Sequence, residues 1–258
     1  MGPTGAGRLA AGAACLVVVD VLSFTTAVSV AVQQGIRILP FWLPDQSVPA
    51  GERAAAEKAA AVYARQSGAR LAVDRRAVTH DTPWSLSPAH LRAARFVARL
   101  VLPSANGAAI AAAAPSRVCV VAACLRNITA VGNWITARGC GTPEHPVAVI
   151  PAGERWPDGS LRPTVEDLLG AGALISDLHA QDAGPLSAEA AAAKAAYEGT
   201  ADLALAISAG ASGRELAAMG FTQDVAIAVE EDACTIVPLR DGDGAFAPAA
   251  RARPLPPA

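Results

Sequence analysis

Residues 16–35 read Leu-Val-Val-Val-Asp-Val-Leu-Ser-Phe-Thr-Thr-Ala-Val-Ser-Val-Ala-Val-Gln-Gln-Gly, and this stretch decides the fold. Leu16 to Val19 is an unbroken apolar run, the pattern of a strand buried on both faces. Asp20 closes the run. Ser23 to Gln34 then reads as a helix that Gly35 stops. A fully buried strand joined to a helix by a short turn is the repeating unit of an α/β protein, because parallel strands need a crossover between them.

The same alternation continues along the chain. Strands are expected at Ile36 to Phe41, Arg70 to Val73, Leu100 to Leu102, Val118 to Ala123 and Val147 to Ile150. Helices are expected between them at Gly51 to Gln66, from Ser87-Pro88 to Ala98, at Ala108 to Ala114, Thr129 to Arg138 and Pro163 to Leu178. Further on, Ala188 to Tyr197 and Ala201 to Ile207 read as helices. Ser212 and Glu215 have capping-box spacing, while Val225 to Val229 and Thr235 to Leu239 read as closing strands. The fold class is therefore α/β, a layered α/β/α with a mixed, mostly parallel sheet. Val17 to Val28 can be laid on Val120 to Val131. This leaves open two intertwined similar halves, an internal duplication near 15–115 and 118–240. The expected organisation is a flexible tail over 1–14, a single domain over 15–247 and a disordered tail over 248–258.

Composition excludes several classes. The 258 residues are 52% hydrophobic and carry a net charge of −2, which argues against disorder. Lys and Arg number 21 against 23 Asp and Glu, so no basic surplus points to nucleic acid. The apolar stretch from Leu9 to Leu22 is interrupted by Asp20 and is too short for a membrane span. Five cysteines without a C-x-x-C, and four scattered histidines, fit buried thiols in the cytoplasm and no zinc site.

Four places could carry chemistry, each beyond the end of a strand, where open α/β sheets bind ligands. Asp20 could hold a hard cation, with Thr25 and Thr26 on a phosphate, although spacing alone favours a capped helix with Asp20 bonded to backbone N–H groups. Ser104, Asn106 and Gly107 form a turn that is either a plain connection or an anion nest. Arg126, followed by Asn127, could grip an anion bidentately or form a surface ion pair. Glu166 and Asp167 begin a helix after the polar stretch Ala152-Gly153-Glu154-Arg155. They diverge by about 100° around its axis, so only one points easily into a cleft, and the helix dipole favours both in any case. Carboxylates, hydroxyls and helix starts, with no histidine base or G-x-S-x-G, suit magnesium-assisted phosphoryl chemistry.

Taken in order, these segments resemble the magnesium-dependent 2-phosphosulfolactate phosphatase family of sulfolactate and coenzyme M biosynthesis. The matching pieces are residues 17–22 with Thr25-Thr26, Ser85-Leu86-Ser87-Pro88, Leu102-Pro103-Ser104 with Asn106-Gly107, and Ala123-Cys124-Leu125-Arg126-Asn127. Ala152-Gly153 follows, then Val165-Glu166-Asp167 with Gly170-Ala171-Gly172, and Ser212 to Leu216 with Gly220-Phe221 and Asp224-Val225. The resemblance implies Asp20, Glu166 and Asp167 for metal and acid/base work, with Asp20 and Glu166 as ligands of Mg2+. It implies Thr25, Thr26, Arg75, Ser104, Asn106, Gly107, Arg126 and Asn127 as phosphate or substrate contacts.

The chain departs from the family pattern in three places. Relatives carry Arg-Ala where this chain has Ser23-Phe24, and Arg126 is the expected replacement for the lost charge. Asp74 stands for a glutamate before Arg75, and Gly170 for a cysteine. The expected reaction is hydrolysis of 2-phospho-3-sulfolactate to 3-sulfolactate and phosphate. The alternatives are a related phosphatase or phosphotransferase acting on another small anionic phosphomonoester, or a non-catalytic nucleotide- or anion-binding module. The expected partner is the small substrate, without nucleic acid or membrane, and with a homodimer left open.

Overall fold

The computed structural model describes residues 2–44, 48–115 and 118–253. The strands are β1 (Cys15–Val19), β2 (Arg37–Trp42), β3 (Arg70–Leu71), β4 (Arg99–Ser104), β5 (Cys119–Ala123), β6 (Val147–Pro151), β7 (Glu154–Arg155), β8 (Leu161–Arg162), β9 (Pro238–Arg240) and β10 (Phe246–Pro248). The helices are α1 (Gly2–Leu9), α2 (Phe24–Gln33), α3 (Ala50–Gln66), α4 (Pro88–Ala93), α5 (Gly107–Ala113), α6 (Ile128–Ala137), α7 (Val165–Ala180), α8 (Ala188–Glu198), α9 (Leu203–Ser208), α10 (Ala211–Ala218) and α11 (Thr222–Ala228).

Eight strands form one sheet in the order β3-β4-β2-β10-β9-β5-β1-β6, and β7 and β8 make a separate ribbon. Within the sheet, β5, β1 and β6 are mutually parallel, and so are β2, β4 and β3. The antiparallel pairings of β9 and β10 join these two blocks, so the blocks point in opposite directions. The sheet is mixed and mostly parallel, as the alternation predicts. Its blocks do not follow the two halves of the chain, because β1 sits with β5 and β6 rather than with β2, β3 and β4. The echoed segments are nevertheless neighbours: Val17 pairs with Val121, one residue off the sequence alignment.

All five residues of β1 are buried. Successive side chains leave opposite faces of a strand, so Leu16 and Val18 enter one core with α2 and α5, while Cys15, Val17 and Val19 enter another with α6 and α7. That two-sided burial makes the three layers.

Several expectations need correction. Residues 2–14 are no loose tail: α1 packs on α5, and Ala6 and Ala10 are fully buried. The helix from Ser87 stops at Ala93 rather than Ala98, because the chain turns extended at Ala94 and the Trp84 indole takes the Arg95 carbonyl. Val225 to Val229 is not a strand. Up to Ala228 it belongs to α11, which Val229 caps and whose Val225, Ile227 and Ala228 fill the core, a case of packing overriding β propensity. Ser212 is no cap, since α10 begins at Ala211 after Gly210. Of the tail over 248–258, Pro248 ends β10 and the Ala250 carbonyl accepts from Trp134; residues 254–258 lie outside the described residues. Among the described residues no helix is long and apolar enough to cross a membrane.

Candidate active site

The strand end at Asp20 gathers four distant segments. Asp20 is buried, and its Oδ1 accepts the Phe24 N–H at 3.1 Å, as a helix-capping carboxylate would. Its Oδ2 accepts the Gly107 N–H at 2.8 Å. Four strands separate β4 from β1 in the sheet, yet the turn after β4 reaches Asp20. Only glycine permits this approach: a Cβ at Gly107 would lie 2.8 Å from Asp20 Oδ2 and overlap the Phe24 ring. The turn at Asn106-Gly107 thus already binds a carboxyl group, that of the chain's own Asp20.

From the other side, α7 brings Glu166 and Asp167. Asp167 Oδ1 accepts the Val21 N–H at 2.8 Å, while its Oδ2 accepts the Gly153 N–H at 2.8 Å and the Thr164 hydroxyl at 2.9 Å. Glu166 is also buried and takes a hydrogen bond from Ser212, but its Oε2 has no partner among the described residues. Glu154, just past β6, accepts the Asn106 amide at 2.9 Å.

Four carboxylates thus share one region, and they repel one another. Burial first, then Glu154 and Glu166, push the Asp20 carboxyl up to about 7. Burial with Asp20 and Glu166 raises Asp167 well above the carboxylate range. Burial raises Glu166 too, against the Ser212 hydrogen bond and with Glu154 adding to it. The nearby cations are Arg162, which grips Glu215 bidentately at 2.6 and 2.8 Å, and Arg75.

Arg75 is the most deliberately held of these groups. Its Nη2 donates to Ser23 Oγ at 2.6 Å, its Nε lies 3.5 Å from Asp224 Oδ2, and its guanidinium stacks on Phe221 at 5.6 Å. Asp224, fully buried, is fixed by the Ser87 hydroxyl and the Ala89 N–H. Burial lowers the Arg75 pKa, partly offset by Asp224 and Asp20. Arg75 therefore reaches Ser23, one of the positions where the chain departs from the pattern it resembles.

The expected residues divide accordingly. Asp20, Arg75, Ser104, Asn106, Gly107, Glu166 and Asp167 converge, with the Ser104 hydroxyl accepting the Asn106 N–H at 3.3 Å. Thr25 and Thr26 are adjacent, but both hydroxyls turn back onto carbonyls, of Asp20 at 2.8 Å and Val21 at 2.7 Å. Arg126 does not replace the missing arginine. It binds Glu230 at 3.1 Å and Gln33, at the far end of α2, at 3.0 Å. Asn127 is spent on the backbone of Ala122 and Cys124. Glu154, Ser212 and Asp224 join the site without having been chosen as site residues. Glu154 sits beyond a strand, which is a usable signal; Ser212 and Asp224 stand in two of the segments that carry the resemblance, but their reach into the site depends on how α10 and α11 pack.

The acid cluster offers oxygen donors of the kind a hard cation takes. No three His, Cys, Asp or Glu side chains among the described residues converge as a ready-made metal cage. Mg2+, however, needs only one or two carboxylates and completes its shell with water and substrate phosphate. Glu166 Oε2 is a free, buried donor of the right kind, and Asp20 keeps a spare lone pair on each oxygen.

A layered α/β sheet whose strand ends gather acids, a captive arginine and helix starts has the build of a small-molecule hydrolase. The model of the 2-phosphosulpholactate phosphatase family matches residues 6–243, nearly the whole chain, and the chain belongs to this family of phosphoric monoester hydrolases. A search of curated proteins finds no match.

Proposed function

We propose that the chain hydrolyses 2-phospho-3-sulfolactate to 3-sulfolactate and phosphate with the help of magnesium. The observation that carries this reading is the unpartnered, buried Glu166 Oε2 among carboxylates that raise one another's pKa values. A substrate bearing phosphate, sulfonate and carboxylate groups cannot approach four carboxylates unless a cation offsets them. Glu166, with Asp20 beside it, would hold Mg2+, which supplies charge neutralisation and polarisation of the phosphoryl oxygens.

The remaining work falls to the chain itself. Arg75 presents a fixed guanidinium to an anionic arm of the substrate, with planar donors that suit sulfonate, carboxylate or phosphate. Asn106 holds Glu154 at the rim. Asp167, saturated by Val21, Gly153 and Thr164, positions the Asp20 turn against the loop after β6. Attack by water on phosphorus releases a proton to the acid cluster, where the Asp20 carboxyl, pushed up to about 7, suits proton transfer near neutral pH. The reaction takes place away from membranes, in the cytoplasm.

The test is phosphate release from 2-phospho-3-sulfolactate with MgCl2, and then with EDTA. Release that EDTA abolishes and MgCl2 restores is expected. Turnover undiminished by EDTA removes the metal, and turnover of other phosphomonoesters but not this one removes the substrate.

A further inference from the structure

At the opposite end of β1 from Asp20, three of the five cysteines gather. Cys15 and Cys119 are paired residues of the β1–β5 ladder. Parallel neighbours lie about 4.8 Å apart, and paired side chains leave on the same face. That spacing falls within the Cα separation a disulfide spans, about 4.4–6.8 Å. Cys140 lies close enough to raise the Cys15 thiol and to be raised in turn by Cys119. All five cysteines are free thiols.

The pair is asymmetric. Cys15 is buried, whereas Cys119 is half-buried and lines a cavity of about 590 Å³ with Trp134, Arg138 and Arg240. Arg138 stacks on Trp134 at 4.9 Å, which keeps its charge at the cavity wall. The Cys15 thiol as hydrogen-bond donor, then Arg138 and Arg240, hold the Cys119 thiol below its ordinary range against the effect of burial. The shared hydrogen bond and burial push Cys15 the other way. One thiol belongs to a residue that lines the cavity and has its pKa lowered; the other is enclosed and hydrogen-bonded to it. A nucleophilic and a resolving thiol stand in this relationship.

We propose that Cys119 and Cys15 form a peroxide-oxidisable dithiol, with Cys119 attacked from the cavity and Cys15 resolving it. The Cys119 sulfur attacks one peroxide oxygen, the O–O bond breaks, and the leaving hydroxide is protonated to water. Cys119 is then a sulfenic acid. The Cys15 sulfur attacks it, the S–O bond breaks, a second water leaves with the remaining thiol proton, and the S–S bond forms. Two thiols are oxidised and one peroxide is reduced to two waters. The bond ties β1 to β5 in the register they already hold.

The experiment uses the full chain and a few-fold excess of hydrogen peroxide. Thiols are counted in denaturant before and after treatment, and peptide mapping follows without reduction. A fall from five thiols to three, a Cys15–Cys119 cross-link and recovery with dithiothreitol are expected. In Cys15→Ala, Cys119 should stop at the sulfenic acid and be trapped by dimedone. Five surviving thiols, or a cross-link joining Cys119 to Cys140 instead, would overturn the proposal. The wild-type map decides this even if a variant fails to fold.

Discussion

Asp167 accepts, through Oδ1, the backbone N–H of Val21 at 2.8 Å, although 146 residues separate the two in the chain. Val21 directly follows Asp20, so a carboxylate on α7 fixes the turn that aims the Asp20 side chain. With Gly153 and Thr164 also donating to Asp167, three groups depend on one buried acceptor.

Asp167→Ala should therefore act on stability as much as on turnover. It strands three donors, and an orphaned buried polar group costs about 1–3 kcal/mol. Partial relief of the acid repulsion offsets some of this. A net loss on the order of 2–4 kcal/mol is expected in urea titration. A variant as stable as the wild type would show that Asp167 does not hold the turn.

Glu166→Gln should do the reverse. The amide keeps an acceptor for Ser212 and removes a charge that burial already disfavours. The protein should be at least as stable at pH 8, while phosphate release drops roughly a hundredfold or more, equivalent to several kcal/mol of lost cation-assisted stabilisation. Unchanged turnover with an unchanged magnesium response would remove Glu166 from the site.

The two arginines should separate cleanly in steady-state kinetics. Arg75→Lys loses the planar fork held between Asp224, Phe221 and Ser23, and KM should rise about tenfold or more. Arg126→Lys disturbs only contacts to Glu230 and Gln33, so KM should stay within about twofold while the melting temperature falls. The opposite pattern would return the anion-binding role to Arg126.

Acid carboxyls raised in the folded state bind protons more tightly there than in the unfolded chain. Asp20, Asp167 and Glu166 all shift in this direction, Asp20 to about 7. The Asp20 contribution is full below the unfolded value of about 4 and is lost as pH climbs through about 7, and those of Asp167 and Glu166 fall away in the same direction as pH rises. In EDTA the urea midpoint should fall between pH 5 and pH 8. MgCl2 should restore it more at pH 8, where its ligands are ionised. A midpoint that rises over this interval, or a magnesium effect larger at pH 5, would contradict the cluster.

Much of this was legible in the residues. The run from Leu16 to Val19 announced a two-sided core, and Asp20, Gly107, Glu166 and Asp167 were readable because each follows a strand or opens a helix. Thr25, Thr26, Arg126 and Asn127 stand in equally suggestive places. Local spacing cannot tell a hydroxyl that faces a ligand from one folded back onto a carbonyl, as in Thr25. Nor does it show that the Arg126 guanidinium reaches Gln33, 93 residues away. Asp224 stands in a segment of the resemblance, yet its place beside Arg75 was hidden: Val225 to Val229 carries β-branched residues that pattern reading assigns to a strand, whereas α11 uses Val225 and Ile227 in a helical core face.

The hairpin of β9 and β10 lies in the middle of the sheet, between β5 and β2, although it comes from residues 238–248. A ribosome delivers it after every other strand. Until then the two blocks expose facing edges that only this hairpin can zip together, and open edges of this kind invite mispairing. The nascent chain therefore waits for its last strands with its widest seam unsealed, and a chaperone that shields such edges should raise the yield of folded enzyme.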